Sequence, residues 1–291
     1  MRYAVKHLTR YAYGAPVDLG YHLLRLVPPT TARQRLVEHA IAITPKPERL
    51  GAFVDHFGNA VRHVAIERRH DAFAAELAAI VEVAPAGAVP EGPPWDEIAA
   101  AIRDDGFPDE WATAEFAYPS PLAPDDADAR AYCDKSLKPG RAIVPAVAEI
   151  MGSVRRDFKY VPGATTVSTP VAEVMQKRRG VCQDFAHVMI AGLRAHGLPA
   201  RYVSGYIRTR PAPGATARRG GDASHAWVAA WCGPALGWVE FDPTNDIMVG
   251  EEHIVLAYGR DFSDVSPLRG VILGGGSHSV EVAVTVAPAA P

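Results

Sequence analysis

Residues 3–13 place Tyr3, Val5, His7, Thr9, Tyr11 and Tyr13 at alternate positions, a period of two that predicts a strand with one packed face. Residues 36–43 and 76–83 alternate in the same way. Between them, residues 53–57 and 60–66 flank Gly58 and Asn59, a pair suited to the positive φ angles of a two-residue hairpin turn. Residues 1–84 therefore read as a small antiparallel β domain. Pro85, Gly87, Pro90, Gly92, Pro93 and Pro94 then crowd one stretch, which marks residues 85–95 as a linker.

Helical periodicity takes over beyond the linker. It predicts a helix over 145–156 and a second over 169–179, with Thr169 as cap, Pro170 in the first turn and Gly180 as terminator. A third helix is expected over 182–195 with Gly197 as its left-handed stop. On it Cys182, Phe185, Ala186, Met189 and Leu193 form one apolar stripe. Strands are predicted over 200–208, 225–232 and 237–241, separated by a Pro/Gly/Arg loop at 209–221 that is expected to be mobile. The pattern gives an α+β core over 96–275. Residues 279–286 alternate again, and this last strand is expected to return and pair with the N-terminal domain, whose sheet is short of strands.

Composition narrows the picture. Thirty basic against 33 acidic side chains give a formal net charge of −3, so no global field recruits nucleic acid or an anionic membrane. The first residues build no secretory apolar run, and no stretch reaches the ~20 apolar residues of a membrane span. Three cysteines, Cys133, Cys182 and Cys232, lie far apart without CxxC spacing, which argues against a disulfide framework or zinc knuckle and predicts a cytoplasmic protein with free thiols.

Cys182 is the thiol with chemical promise. A first-turn position puts it beside unpaired backbone N–H groups and the positive end of the helix dipole, which favour a thiolate and could hold an oxyanion. A nucleophilic Cys needs a base and a group to orient that base. His225 opens one predicted strand and Asp242 closes the next. Whether the connection between the strands has two residues or four, an antiparallel hairpin leaves both on one face, opposite or diagonal. Gln183, Tyr160 and Trp227 are candidates for substrate or oxyanion contacts, with packing as the competing role for the aromatics. Asp184 and His187 are expected to form a local pair on the helix, and Asp222 to steady the loop before His225. His187, His225 and His253 with an aspartate raise the rival of a zinc site, which lacks HExxH or similar spacing, so no metal or other cofactor is expected.

The stretches GVCQDFAH at 180–187, RYVSGY at 201–206, DASHAWV at 222–228 and GWVEFDPTN at 237–245 resemble the transglutaminase-like superfamily, whose core is related to papain-like cysteine peptidases. FKYVPGATTVSTPV at 158–171, GRDFSDVSPLRGV at 259–271 and HLTRYAYGAPV at 7–17 are similar to the bacterial members that carry an N-terminal β domain. The resemblance covers nearly the whole chain in order. It implies a helix-borne Cys packed on an antiparallel sheet, with Cys182 as nucleophile, His225 as base and Asp242 as orienting acid. Gln183 stands where animal transglutaminases place a Trp, and no acidic loop resembles their calcium sites, so calcium dependence is not implied.

These readings converge on an enzyme that cleaves or transfers acyl groups from protein or peptide amides through a Cys thioester, as a peptidase, amidase or protein-glutamine acyltransferase. The alternative is an idle scaffold that acts as a binding module. The choice between hydrolysis and transamidation, the acceptor and the oligomeric state stay open at this level.

Overall fold

The computed structural model describes residues 1–104, 111–208 and 224–289. The loop at 209–221 and Asp222 lie outside them. The N-terminal sheet is built on one long strand, β1 (Arg2–Leu24), with β2 (Gln34–Thr44), β3 (Arg49–Val54), β4 (Ala60–Ile66) and β5 (His70–Val83) in the order β2-β5-β1-β4-β3. Register shifts between Ala12 and Val17, so β1 pairs with β5 along its first half and with β4 along its last residues. This bulge lets one strand serve two neighbours and curl the sheet. Tyr3, Val5, Phe73, Leu77 and Val81 fill its buried face.

The turn after β3 departs from the two-residue expectation. β3 ends at Val54, and the connection runs through Asp55, whose Oδ1 accepts from the amides of Phe57 and Asn59. Gly58 alone takes positive φ, at 84°. Asn59 is buried, because its side chain reaches across to the other sheet.

The helical part comprises α1 (Trp95–Arg103), α2 (Trp111–Ala114), α3 (Ala127–Cys133), α4 (Ile143–Asp157), α5 (Val171–Lys177) and α6 (Cys182–Arg194). Two short strands, β6 (Lys159–Tyr160) and β7 (Arg179–Gly180), pair in parallel beside α5 and α6. The chain then forms β8 (Ala200–Ile207), β9 (His225–Trp231), β10 (Trp238–Asp242), β11 (Ile247–Met248) and β12 (His253–Gly259), an antiparallel sheet in the order β11-β10-β9-β8-β12. After α7 (Phe262–Val265) come β13 (Leu268–Gly274) and β14 (His278–Pro288).

Both final strands pair with β1, β13 along its second half and β14 along its first, from Tyr3 opposite Pro288 to Tyr13 opposite His278. Val284 and Val286 enter the N-terminal core, whereas Val280 and Val282 stay exposed, so only the end of β14 is packed as its alternation suggests.

Two local expectations are corrected. Thr169 does not cap α5: its hydroxyl accepts from the Thr166 amide, and Pro170 occupies the cap position without a side-chain bond. Gly180 does not end that helix either; Arg178 does, with left-handed φ of 50°, which frees Arg179 and Gly180 to form β7. The apolar stripe on α6 is also too narrow a description. Ala186, Met189 and Leu193 join the core under the five-stranded sheet, while Phe185, Val188 and Ala191 face a second cluster with α3, α4 and α5. A helix buried on both sides needs apolar residues all round.

Candidate active site

Cys182 is the first residue of α6, behind the extended cap residue Val181, and only 9% of its surface is exposed. A helix start leaves first-turn N–H groups without intrahelical acceptors, so the sulfur sits at the positive end of a 13-residue helix. Asp184 secures this start. Its Oδ2 accepts from the Val181 amide at 2.7 Å and from the Thr165 hydroxyl at 2.6 Å. Gln183 donates to the Val167 carbonyl at 3.1 Å, so the segment ahead of α5 is tied to the helix twice. The expected Asp184–His187 pair does not form, because His187 points elsewhere and accepts from the Phe262 amide.

His225 and Asp242 meet as the hairpin argument requires. Trp231 pairs with Trp238 and Val228 with Phe241, the register of the four-residue connection, which sets His225 and Asp242 diagonally. His225 Nε2 lies 2.9 Å from Asp242 Oδ2, and both side chains are fully buried. Gly205 pairs with His225 across β8 and β9, and a Cβ there would strike the Trp227 ring and the Ile254 carbonyl, so only glycine lets the strands close at this point.

Asp242 collects more partners than the sequence suggested. The amides of Thr244 and Asn245 donate to Oδ1 at 2.9 and 3.2 Å. On Oδ2, His225 is joined by Asn245 Nδ2 at 2.8 Å and by His253 Nε2 at 3.2 Å. Asn245 stands inside the stretch GWVEFDPTN and His253 was named only in the rival zinc reading; neither carries a local signal of this contact.

The electrostatics follow from burial and these contacts. Burial alone would raise the Asp242 carboxyl, yet the charges and hydrogen bonds of His225 and His253 overcome it and hold the group well below the carboxylate range. Burial would likewise lower His225, but Asp242, followed by Cys182, raises it above its ordinary value. An ionised Asp242 accepts only, so His225 keeps a proton on Nε2, and in the neutral form of the ring Nδ1 presents the lone pair. That nitrogen is buried without a conventional hydrogen-bond partner, while the Cys182 thiol is close enough to act on the ring by charge and as a weak hydrogen-bond partner.

The remaining candidates divide. Tyr160 lies in β6, half-buried, with its ring 6.3 Å from Phe185. Trp227 is fully buried and gives its indole N–H to Glu240 at 3.0 Å, so it has no donor left to offer a substrate or oxyanion. His225, Asp242 and His253 form the one group among the described residues whose ligand atoms cluster closely enough for a metal ion, within 4.8 Å of one another. Each imidazole Nε2 is engaged with the same carboxylate oxygen, and His187 stands apart. A groove of about 800 Å³ is lined by residues 31–34 and 86–90 and by parts of β10, β11 and β12; His253 lines it, whereas Cys182 and His225 do not.

Comparison with known proteins agrees with this architecture. Residues 3–82 match the bacterial transglutaminase-like N-terminal region, and residues 130–243 match the transglutaminase-like superfamily. An uncharacterised Mycobacterium tuberculosis protein is 39% identical over 297 residues, covering 99% of this chain and 93% of its own length. A protein-glutamine gamma-glutamyltransferase of Pseudomonas aeruginosa is 33% identical over 107 residues, 34% of this chain and 16% of that protein. The crystal structure of a Cytophaga hutchinsonii protein named as a candidate cysteine protease superimposes with a TM-score of 0.76 at 21% identity, covering 99% of this chain and 90% of that one. With a core fold of this type and a full-length relative at that identity, the chain belongs to the transglutaminase-like superfamily, among the bacterial members that carry the N-terminal region.

Proposed function

We propose that the protein is a cysteine-dependent acyl-transfer enzyme acting on carboxamide or peptide bonds of protein or peptide substrates. The observation that carries this reading is the imidazole of His225, fixed through Nε2 on Asp242 and left with Nδ1 for the Cys182 thiol. His225 takes the thiol proton, and the sulfur attacks the carbonyl carbon. The oxyanion is held by backbone N–H groups at the start of α6. Collapse of the tetrahedral adduct breaks the C–N bond, the leaving amine or ammonia takes the proton from His225, and a thioester remains on Cys182. Water or a second amine then gives its proton to His225 and attacks the thioester. The product is an acid or a new amide, and the thiol is regenerated.

The test measures ammonia release, amine incorporation and peptide cleavage on glutamine-containing peptides, with the mass of the adduct on Cys182. Cys182→Ala and His225→Ala should each lower turnover by about 10³-fold or more, and Asp242→Asn by less, since the nucleophile remains. Undiminished turnover by Cys182→Ala would remove the covalent mechanism.

A further inference from the structure

His253 opens β12 and is 3% exposed, and its ring stands edge-on to Trp227 at 5.3 Å and 76°. Its Nδ1 accepts from the Gly250 amide at 3.4 Å, which leaves the proton on Nε2. That N–H points at Asp242 Oδ2, the same oxygen that accepts from His225 and Asn245. One carboxylate oxygen thus serves three side-chain donors, one more than its two in-plane lone pairs, so the donors compete for its charge.

We propose that His253 is a positioning residue of the reaction centre: it anchors the Asp242 carboxylate and draws off part of the charge that would otherwise bind the His225 proton. The inference rests on the Cys182-dependent reading above. It follows from the placement of the two rings, on β9 and β12 at either side of β8, whose centroids lie 6.3 Å apart while both Nε2 atoms converge on one atom. Without His253, Oδ2 keeps two side-chain donors and bonds His225 more strongly, and the carboxylate loses the contact that holds it from the β12 side. His225 then releases its proton to the leaving amine less readily. Among the described residues, the titratable groups that face His225 are Asp242 from β10, Cys182 from α6 and His253 from β12.

The experiment combines kinetics with imidazole ¹⁵N spectroscopy on the full chain. In His253→Phe, the His225 titration should move to higher pH by about half a unit or more. Its kcat should fall about tenfold while KM stays within twofold, the pattern expected when a group supporting a catalytic side chain is lost. His253→Gln, which keeps an N–H donor, should recover most of the kcat. A folded His253→Phe protein with unchanged His225 titration and unchanged kcat overturns the proposal, and so does a loss of activity without movement of the His225 signal. If His253→Phe does not fold, the same two readouts on His253→Gln and His253→Asn decide: a donor that restores neither the titration nor kcat overturns it. Equimolar zinc binding by the wild type that disappears in the variant also overturns it, in favour of a metal site. Failure of the acyl-transfer reading is seen separately, as full activity of Cys182→Ala, because the His225 titration needs no turnover.

Discussion

At the scale of single residues, Asp184 shows how the nucleophile is held in place. Its carboxylate is 2% exposed and accepts from Val181 on one side and Thr165 on the other, while burial raises its pKa above the ordinary value. Asp184→Ala should lower the unfolding free energy by about 1–2 kcal/mol, the size of a lost cap, as read from urea denaturation. Asp184→Asn, whose amide oxygen still accepts, should cost less; equal losses would mean that packing and not hydrogen bonding fixes the helix start. Cys182, His225 and Asp242 were readable from the sequence because each stands at the end of an element, where helix starts and strand parity restrict what a side chain can face. Asp184, Asn245 and His253 were not, because a buried donor or acceptor chooses partners from elements brought near only by the tertiary fold. The same limit explains the unmade Asp184–His187 pair: helical spacing allowed it, and Thr165 and Phe262 competed successfully.

At the scale of elements, periodicity accounts for part of what was legible. β1, β2 and β5 alternate and were found; β9, HAWVAAW, is buried throughout and was found as an apolar and aromatic run, whereas β12, HIVLAYG, a similar run, was not. β14 alternates, and its partner could be argued from the incomplete N-terminal sheet. It covers β1 from Tyr3 to Tyr13 and inserts Val284 and Val286 into the core beside Tyr3 and Val5. Each of these valines, once buried, contributes about 2 kcal/mol. Truncation after Gly276 should therefore speed amide exchange in β1 and β5 well before β8 and β9 are affected. Uniform acceleration across both sheets would show instead that they unfold as one unit.

At the scale of the whole molecule, the buried histidines set a pH window for stability. Burial lowers His7, His22 and His187 to about 4. In the unfolded chain such groups protonate near 6.5, so below that pH the unfolded state gains protons that the native state refuses. Stability should fall by about 1.4 kcal/mol per pH unit for each of His7 and His187 between pH 6.5 and 4, then level off with respect to them. His225 acts in the other window: its pKa is raised in the fold, so its contribution is complete below 6.5 and declines as pH rises above it. Urea midpoints should accordingly peak near pH 6.5, and a midpoint that keeps rising down to pH 4.5 would contradict this. The joint between the two sheets has a consequence of its own. Gln34 bonds both the amide and the carbonyl of Val255, at 2.7 and 2.9 Å, and Asn59 does the same to Tyr258, at 2.8 Å each. Two carboxamides thus stand in for a missing neighbour along the outer border of β12. The opposite border of that sheet is β11, two residues long. A foreign strand approaching either side meets a ladder that is already filled or too short to grip, which guards this sheet against the edge-to-edge polymerisation to which open sheets are prone.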